Sequence, residues 1–191
     1  KINSNLFIKI AFRSRSAIFL YLRAVYQHFC NMSYRIGFGI DFHRLQQGPK
    51  LFIGGVEIPH SKGAVGHSDA DVLLHAICDA MLGALALGDI GVHFPNTDEK
   101  YKDIDSKLLL IEVYQLVKQK GYRVVNIDSS VCLEAPKIMP YAPMMRQSIA
   151  FLLEITEEDV SIKATTTEKM GFAGREEGLF AFANVLIQKL Q

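Results

Sequence analysis

Between residues 68 and 88 the chain carries an apolar stripe at helical spacing: Val72, His75, Ile77, Ala80, Met81, Ala84 and Leu85. Residues three and four apart share one helix face, so this segment predicts a helix with one side committed to a core. Ser68 is placed to cap its start, with Asp71 three residues on as a variant of the capping box, and Gly88 to close it. The anomaly is His75, a titratable ring on the buried stripe.

The segments around this helix alternate between strand and helix patterns. Residues 35–45 read as a strand broken by Gly37 and Gly39, and residues 51–59 as a hairpin turning at Gly54-Gly55. Residues 61–66 read as a polar loop, and 89–98 as an acidic loop with Gly91 and Pro95. A second helix starts at Asp105-Ser106 and stops at Gly121. Residues 123–133 form a strand with Val125, Ile127, Ser129 and Val131 on one face, and a third helix over 139–153 opens at Pro140 and Pro143. Strands follow at 160–166 and 179–190. This order predicts an α+β fold, a mixed β-sheet packed with helices. At 191 residues and 49% hydrophobic, one core is expected rather than two.

Charge separates the first 31 residues from the rest. They hold five basic side chains (Lys1, Lys9, Arg13, Arg15 and Arg23) and no acid. Of the 21 basic residues, 16 then remain from Met32 onward against 20 acidic ones, a net of about −4. Two readings fit residues 1–31: an organelle transit peptide, or an upstream extension with Met32 as initiator and no fixed structure. Arg23 interrupts the apolar run at 18–22, which argues against a spanning helix. The mildly acidic remainder, 32–191, argues against a nucleic-acid partner. Cys78 and Cys132 fall in apolar patterns without a Cys-x-x-Cys spacing, so buried thiols in a reducing compartment are expected.

Asp41 and His43, in Gly-Ile-Asp-Phe-His, lie on one face of a strand because side chains repeat every second residue. With His75 from the helix they make two imidazoles and one carboxylate. That set leaves a fourth position open, the layout of a catalytic zinc site. Asp71 and Asp79, four residues to either side of His75, are candidates to orient its ring. A packed histidine between solvated acids is the plain alternative.

Further on, Lys163-Ala-Thr-Thr-Thr-Glu-Lys169 follows a strand. The hydroxyls and N–H groups of Thr165, Thr166 and Thr167 suit phosphate oxygens, and Glu168 is a hard ligand for magnesium. Arg175, after Gly171-Phe-Ala-Gly, could grip a phosphate or pair with Glu176 or Glu177. Asp89 could accept from substrate hydroxyls, although a helix cap and connector explains it equally well. The turn at 134–140 exposes backbone groups that could read a nucleobase edge, with Lys137 beside any phosphate.

Together, Gly-Ile-Asp-Phe-His, Ile-Gly-Gly-Val-Glu-Ile-Pro, Gly-His-Ser-Asp-Ala-Asp-Val-Leu-Leu-His, Leu-Gly-Asp-Ile-Gly-Val-His-Phe-Pro, Glu-Ala-Pro-Lys and Lys-Ala-Thr-Thr-Thr-Glu-Lys-Met-Gly-Phe-Ala-Gly-Arg resemble the 2-C-methyl-D-erythritol 2,4-cyclodiphosphate synthases of the non-mevalonate isoprenoid pathway. The resemblance runs from Met32 to the C-terminus. It implies a lyase that cyclises 4-diphosphocytidyl-2-C-methyl-D-erythritol 2-phosphate and releases CMP. It implies zinc, or manganese or cobalt, on Asp41, His43 and His75, and magnesium on Glu168 with the substrate diphosphate. His67 and Thr166 would stabilise the transition state, while Ser68, Thr165 and Thr167 grip the diphosphate. Asp89, Ile90, Gly91, Phe94 and Asp98 match the methylerythritol side; Ala135, Pro136, Lys137, Ile138 and Met139 match the cytidine pocket.

The same resemblance implies a homotrimer with active sites between subunits. Phe172 and Arg175 are counted among the substrate-binding residues, and Arg175 also resembles the residue facing a central cavity of the trimer proposed to take isoprenoid diphosphates. Work in a bacterial cytoplasm is implied, or in a plastid if residues 1–31 are a transit peptide. Two positions depart from the family pattern: Ala70, where Gly is common, and Asn96, where Asp is frequent. A phosphohydrolase on the same metal ligands and a noncatalytic trimeric binding protein for nucleotides or isoprenoid phosphates are the alternatives, separated by whether a cyclic product forms.

Overall fold

The computed structural model describes residues 19–23 and 33–190. Residues 34–190 form one unit; residues 1–33 with Gln191 form another. Within the latter, residues 19–23 are helical and exposed, and the rest of the expected extension, Cys30 included, lies outside the described residues.

The larger unit is built on a five-stranded sheet in the order β4-β1-β7-β5-β6, where β1 is Tyr34–Gln47, β4 Lys62–Val65, β5 Tyr122–Cys132, β6 Val160–Thr165 and β7 Gly178–Lys189. The β5–β6 pair is parallel and the others antiparallel, so the expected mixed α+β sheet is present. The hairpin of β2 (Leu51–Ile53) and β3 (Val56–Ile58) turns at Gly54-Gly55 as anticipated. Helix α1 (Val72–Ala84) packs on β1 and β7; α3 (Ser106–Gln119) packs on α1, and α4 (Ala142–Leu153) on β6. Two short helices, α2 (Ile90–His93) and α5 (Gly171–Gly174), sit in the connections before α3 and β7.

Five local expectations are corrected. Strand β1 is not broken at its glycines. A Cβ at Gly37 or Gly39 would fall 1.7 Å from the Ala80 oxygen or 2.0 Å from the Ala76 oxygen, so both glycines let α1 lie directly on the strand. Residues 62–65, read as loop, are strand β4, because pairing with β1 satisfies a backbone whose own propensity is weak. The cap of α1 is Asp71 and not Ser68: Asp71 accepts from the N–H groups of Leu73 and Leu74. That helix ends at Ala84, before Gly88, and is buried almost all round. In β5 the register shifts between Val124 and Asn126, so Val124 joins Ile127, Ser129 and Val131 inside while Val125 is only half-buried.

The helices cover one face of the sheet. On that face lie Leu179, Ala181, Ala183, Val185 and Ile187 of β7, all fully buried. The alternate residues of β1 leave the other face open, with Ile36 71%, Phe38 58% and Phe42 53% exposed. Phe38 stacks with Phe182 and Phe42 with Phe180 across the paired strands. Among the described residues no helix is long and apolar enough to cross a membrane.

Candidate metal centre and active site

Period-two alternation along β1 carries Gly37, Gly39, Asp41 and His43 to the helix side of the sheet. The two glycines dock α1 there, which brings His75 over the strand. The Asp41 Oδ2 atom is 2.8 Å from His43 Nε2 and 3.0 Å from His75 Nδ1, and the two ring nitrogens are 3.0 Å apart. All three donor atoms fit within 4.8 Å of one another.

On its outer side His43 faces the Val65 carbonyl, with Nδ1 3.2 Å from that oxygen. A carbonyl only accepts, so Nδ1 carries a hydrogen toward it, while Nε2 faces the Asp41 carboxylate. Burial pushes the Asp41 carboxyl up, but hydrogen bonds and charge from His43 and His75 outweigh it and hold the group well below the usual carboxylate range. Burial lowers His75 and the hydrogen bond and charge of Asp41 outweigh it, so its pKa is raised. The site thus stabilises positive charge at the point where these atoms meet. One carboxylate and two imidazoles are the donor chemistry of a zinc-class ion with an open position, so the residues fit the expected metal.

Neither acid proposed to orient His75 does so. Asp71 spends its carboxylate on backbone: Oδ1 accepts from Gly54 N–H at 2.9 Å as well as from Leu73 and Leu74, and Oδ2 from Gly55 at 2.6 Å. It therefore ties the hairpin turn to the start of α1. Asp79 accepts from Ile90 N–H at 2.7 Å and holds α2. The outer nitrogen of His75 faces instead the hydroxyls of Ser106, at 2.9 Å, and Ser68, at 3.1 Å. Ser106 had no motif to betray it; only the packing of α3 on α1 brings it to the ring.

The triad opens into a cavity of about 340 Å³ that His67, Ser68, Ile90, Gly91 and Phe94 also line, together with Asn96. Of the remaining loop residues, Asp89 caps α2 through Val92 N–H, and Asp98 accepts from Lys100 N–H while its carbonyl faces His67 Nε2 at 3.2 Å. Ala70, between Ser68 and Asp71, has a φ of 57°, a left-handed backbone that explains why glycine suits this position.

The other expected residues gather elsewhere. Pro136, Lys137, Ile138, Met139, Thr165 and Thr166 line a second cavity of about 420 Å³ at the ends of the parallel strands β5 and β6. Ala135 precedes Pro136 through a cis peptide bond and is not among that lining. Beside it, Thr166 Oγ1 donates to Glu168 Oε1 at 2.8 Å, and Thr167 Oγ1 donates to the Met170 carbonyl at 2.6 Å. Phe172 and Arg175 line a third cavity with Phe42, His43 and Lys62, where Arg175 makes two 2.9 Å bonds to Glu177. Within one chain the triad and the pair Thr165 and Thr166 therefore line different cavities.

Residues 34–188 match the model of the YgbB family. A 2-C-methyl-D-erythritol 2,4-cyclodiphosphate synthase of Syntrophomonas wolfei is 59% identical over 155 residues, covering 81% of this chain and 99% of its own length. One from Chloroherpeton thalassium is 60% identical over 156 residues, covering 82% and 99%. Among solved structures, the bifunctional IspDF from Campylobacter jejuni superposes with a TM-score of 0.81 at 39% identity; the match covers 84% of this chain and 43% of that one. A 2C-methyl-D-erythritol-2,4-cyclodiphosphate synthase in its CDP-bound form gives 0.75 at 34% identity, covering 80% and 99%. The CDP complex of IspF from Plasmodium falciparum gives 0.74 at 33%, covering 83% and 98%.

Proposed function

The chain belongs to the YgbB family, and from that premise we propose that it converts 4-diphosphocytidyl-2-C-methyl-D-erythritol 2-phosphate into 2-C-methyl-D-erythritol 2,4-cyclodiphosphate and CMP. The observation that carries this reading is the convergence of Asp41, His43 and His75 in a cavity that His67 and Ser68 also line. The synthases named above, with more than half of their residues in common with this chain, support it.

An oxygen of the 2-phosphate attacks the β-phosphorus. The bond from that phosphorus to the bridging oxygen breaks, and CMP leaves with the oxygen and the electron pair. The nucleophile is tethered to its target, so its entropy is largely removed in advance. It is already anionic and needs no strong base; alignment and neutralisation of crowded phosphate charge limit the rate. Asp41, His43 and His75 would hold a divalent ion, zinc in our reading with manganese or cobalt as substitutes, and it would supply that neutralising charge. Glu168 is assigned to magnesium held with the diphosphate.

His67 and Thr166 donate to oxygens on which charge develops, Thr166 turning from Glu168 to the substrate. Ser68, Thr165 and Thr167 hold the diphosphate. Asp89, Ile90, Gly91, Phe94 and Asp98 take the methylerythritol, and residues 135–139 take the cytidine. The CDP bound in the two solved relatives supports this last assignment.

One substrate must reach both the triad and the Thr166 cavity, so we assign the second half of each site to a neighbouring copy in a homotrimer. The open apolar sheet face of Ile36, Phe38 and Phe42 supports such an assembly. The bacterial relatives support a bacterial cytoplasm as the place of work. Phosphorus NMR of the products, with zinc and magnesium present, tests the reaction. CMP with a coupled pair of cyclic-diphosphate resonances is expected. CMP with an uncyclised phosphate product would make water the nucleophile and the protein a hydrolase, and substrate bound without turnover would refute an enzymatic role.

A further inference from the structure

We propose that Asp79 is a positioning residue whose hold on α2 keeps the tethered phosphate ahead of water, so that the reaction ends in a ring and not in hydrolysis. The inference rests on the reaction proposed above and names what selects its outcome. Asp79 is half-buried on α1, about one turn beyond His75. Its Oδ1 accepts from Ile90 N–H at 2.7 Å, a bond that ties α2 directly to the body of α1. Other bonds of that short helix are local. Asp89 Oδ1 accepts from Val92 N–H at 3.1 Å, Phe94 N–H donates to the Ile90 carbonyl at 2.8 Å, and His93 Nε2 donates to the Leu87 carbonyl at 3.0 Å.

Four residues of α-helix advance about 6 Å, so the side chain that completes the triad and the one that anchors α2 stand at a fixed separation on one rigid rod. Ile90 and Gly91 line the cavity into which Asp41, His43 and His75 open, whereas Asp79 does not. Gly88, with a φ of 84°, begins the connection from α1 and gives it little stiffness of its own. Asp79 therefore sets, from behind, where this wall of the cavity stands relative to the triad.

On the proposed assignment Ile90 and Gly91 take the methylerythritol, which carries the nucleophilic 2-phosphate. Attack by an oxygen of that phosphate closes the ring as the bond from the β-phosphorus to the bridging oxygen breaks and CMP leaves. Water attacking the same phosphorus breaks the same bond and releases the same CMP. It gives up a proton and leaves the 2-phosphate and the 4-phosphate unjoined. The two outcomes differ in which oxygen is aligned. A well-aligned tethered group acts at an effective concentration of about 10⁵–10⁸ M, and a displacement of about 1 Å can cost on the order of 100-fold. Cyclisation is thus lost first when the wall drifts, because hydrolysis does not need the sugar end held.

Phosphorus NMR of the products, with zinc and magnesium present, gives the ratio of cyclic to uncyclised phosphate, and hydrogen exchange gives the hold on α2. Asp79→Ala removes the acceptor and Asp79→Asn keeps it without the charge. Asp79→Glu keeps the charge on a side chain one methylene longer, and it also serves should the alanine variant fold poorly. The ratio is expected to fall at least about tenfold in Asp79→Ala and Asp79→Glu, with cyclisation slowed on the order of 100-fold in the former. Exchange at Ile90 should accelerate in Asp79→Ala, while Asp79→Asn stays within a few-fold of the unaltered protein on every count.

An unchanged ratio in the folded alanine and glutamate variants would overturn the proposal even if turnover slowed, since a merely structural loss lowers both products together. So would a ratio in Asp79→Asn as low as in Asp79→Ala, which would make the charge the cause, or unchanged exchange at Ile90 in Asp79→Ala. No cyclic product from the unaltered protein would refute the reaction itself and this inference with it, a failure separate from any confined to the variants.

Discussion

Gly39 lies against the carbonyl of Ala76 so closely that a Cβ on it would sit 2.0 Å from that oxygen. The contact sets the height of α1 above β1, and with it the distance from His75 to Asp41 and His43. Gly39→Ala is therefore expected to cost about 1–3 kcal/mol, at the upper end because the obstruction is backbone that cannot rotate away. It should also weaken metal binding. Gly83, inside the same helix, meets nothing nearer than the Phe38 oxygen at 3.8 Å. Gly83→Ala should stabilise by roughly 0.5–1 kcal/mol through helix propensity alone. Urea unfolding of both variants checks the contrast.

Removing Asp71 leaves four backbone N–H groups without their acceptor, two in α1 and two in the hairpin turn. Asp71→Ala is expected to lose about 2–4 kcal/mol from the lost cap and the unsatisfied donors together. Hydrogen exchange should accelerate at Gly54 and Gly55 as well as at Leu73 and Leu74. Acceleration confined to the helix would show that the turn is held by other means.

Treatment with a chelator should abolish turnover, and zinc should restore it. Asp41→Asn keeps the shape of the side chain but removes its charge, and a loss of zinc affinity of at least about 100-fold is expected, beyond that of the outer partners of His75. A titration by calorimetry would decide this. Affinity within a few-fold of the unaltered protein would remove Asp41 from the ligand set.

Placing a charge on the open sheet face separates assembly from metal binding. If the protein assembles as the proposed homotrimer, Phe38→Glu should yield monomers in sedimentation velocity and remove cyclase activity, because each monomer would keep only half of a site. Zinc affinity should survive, since all three candidate ligands come from one chain. Loss of zinc binding along with the trimer would contradict that division.

Cys78 is fully buried, and burial together with the charges of Asp79, Asp71 and Asp41 raises its thiol pKa well above the ordinary value. Cys132 is nearly buried and shifted upward by burial and by Glu134. A raised pKa keeps the thiol protonated and denies a labelling reagent its thiolate. Peptide mapping should therefore find both cysteines unlabelled in the folded protein at mildly alkaline pH and labelled after unfolding.

The readable parts of this protein were those encoded by short-range chemistry. The spacing of Asp41 and His43 and the stripe through His75 pick out the three candidate ligands without knowledge of the fold. The hairpin at Gly54-Gly55 and the last strand, β7, were likewise legible. What escaped depends on partners distant in sequence. Strand β4 exists because β1 offers it an edge. Asp71 takes the cap from Ser68 because it sits immediately before the helix and also meets the hairpin turn. The bulge after Val124 reverses which of two adjacent valines is buried. Ser106 looks like an ordinary residue at a helix start, and only the meeting of α1 and α3 gives it work at His75.

The three candidate metal donors come from a strand and a helix held by backbone contact, whereas Ile90, Gly91 and Phe94, and likewise Lys137 and Thr166, come from the connections or the end of a strand. On the proposed function, the chemistry is carried by the frame and the choosiness by its joints. An engineer who wished to change what this protein accepts could rewrite the connecting segments one at a time and leave Asp41, His43 and His75 where they are.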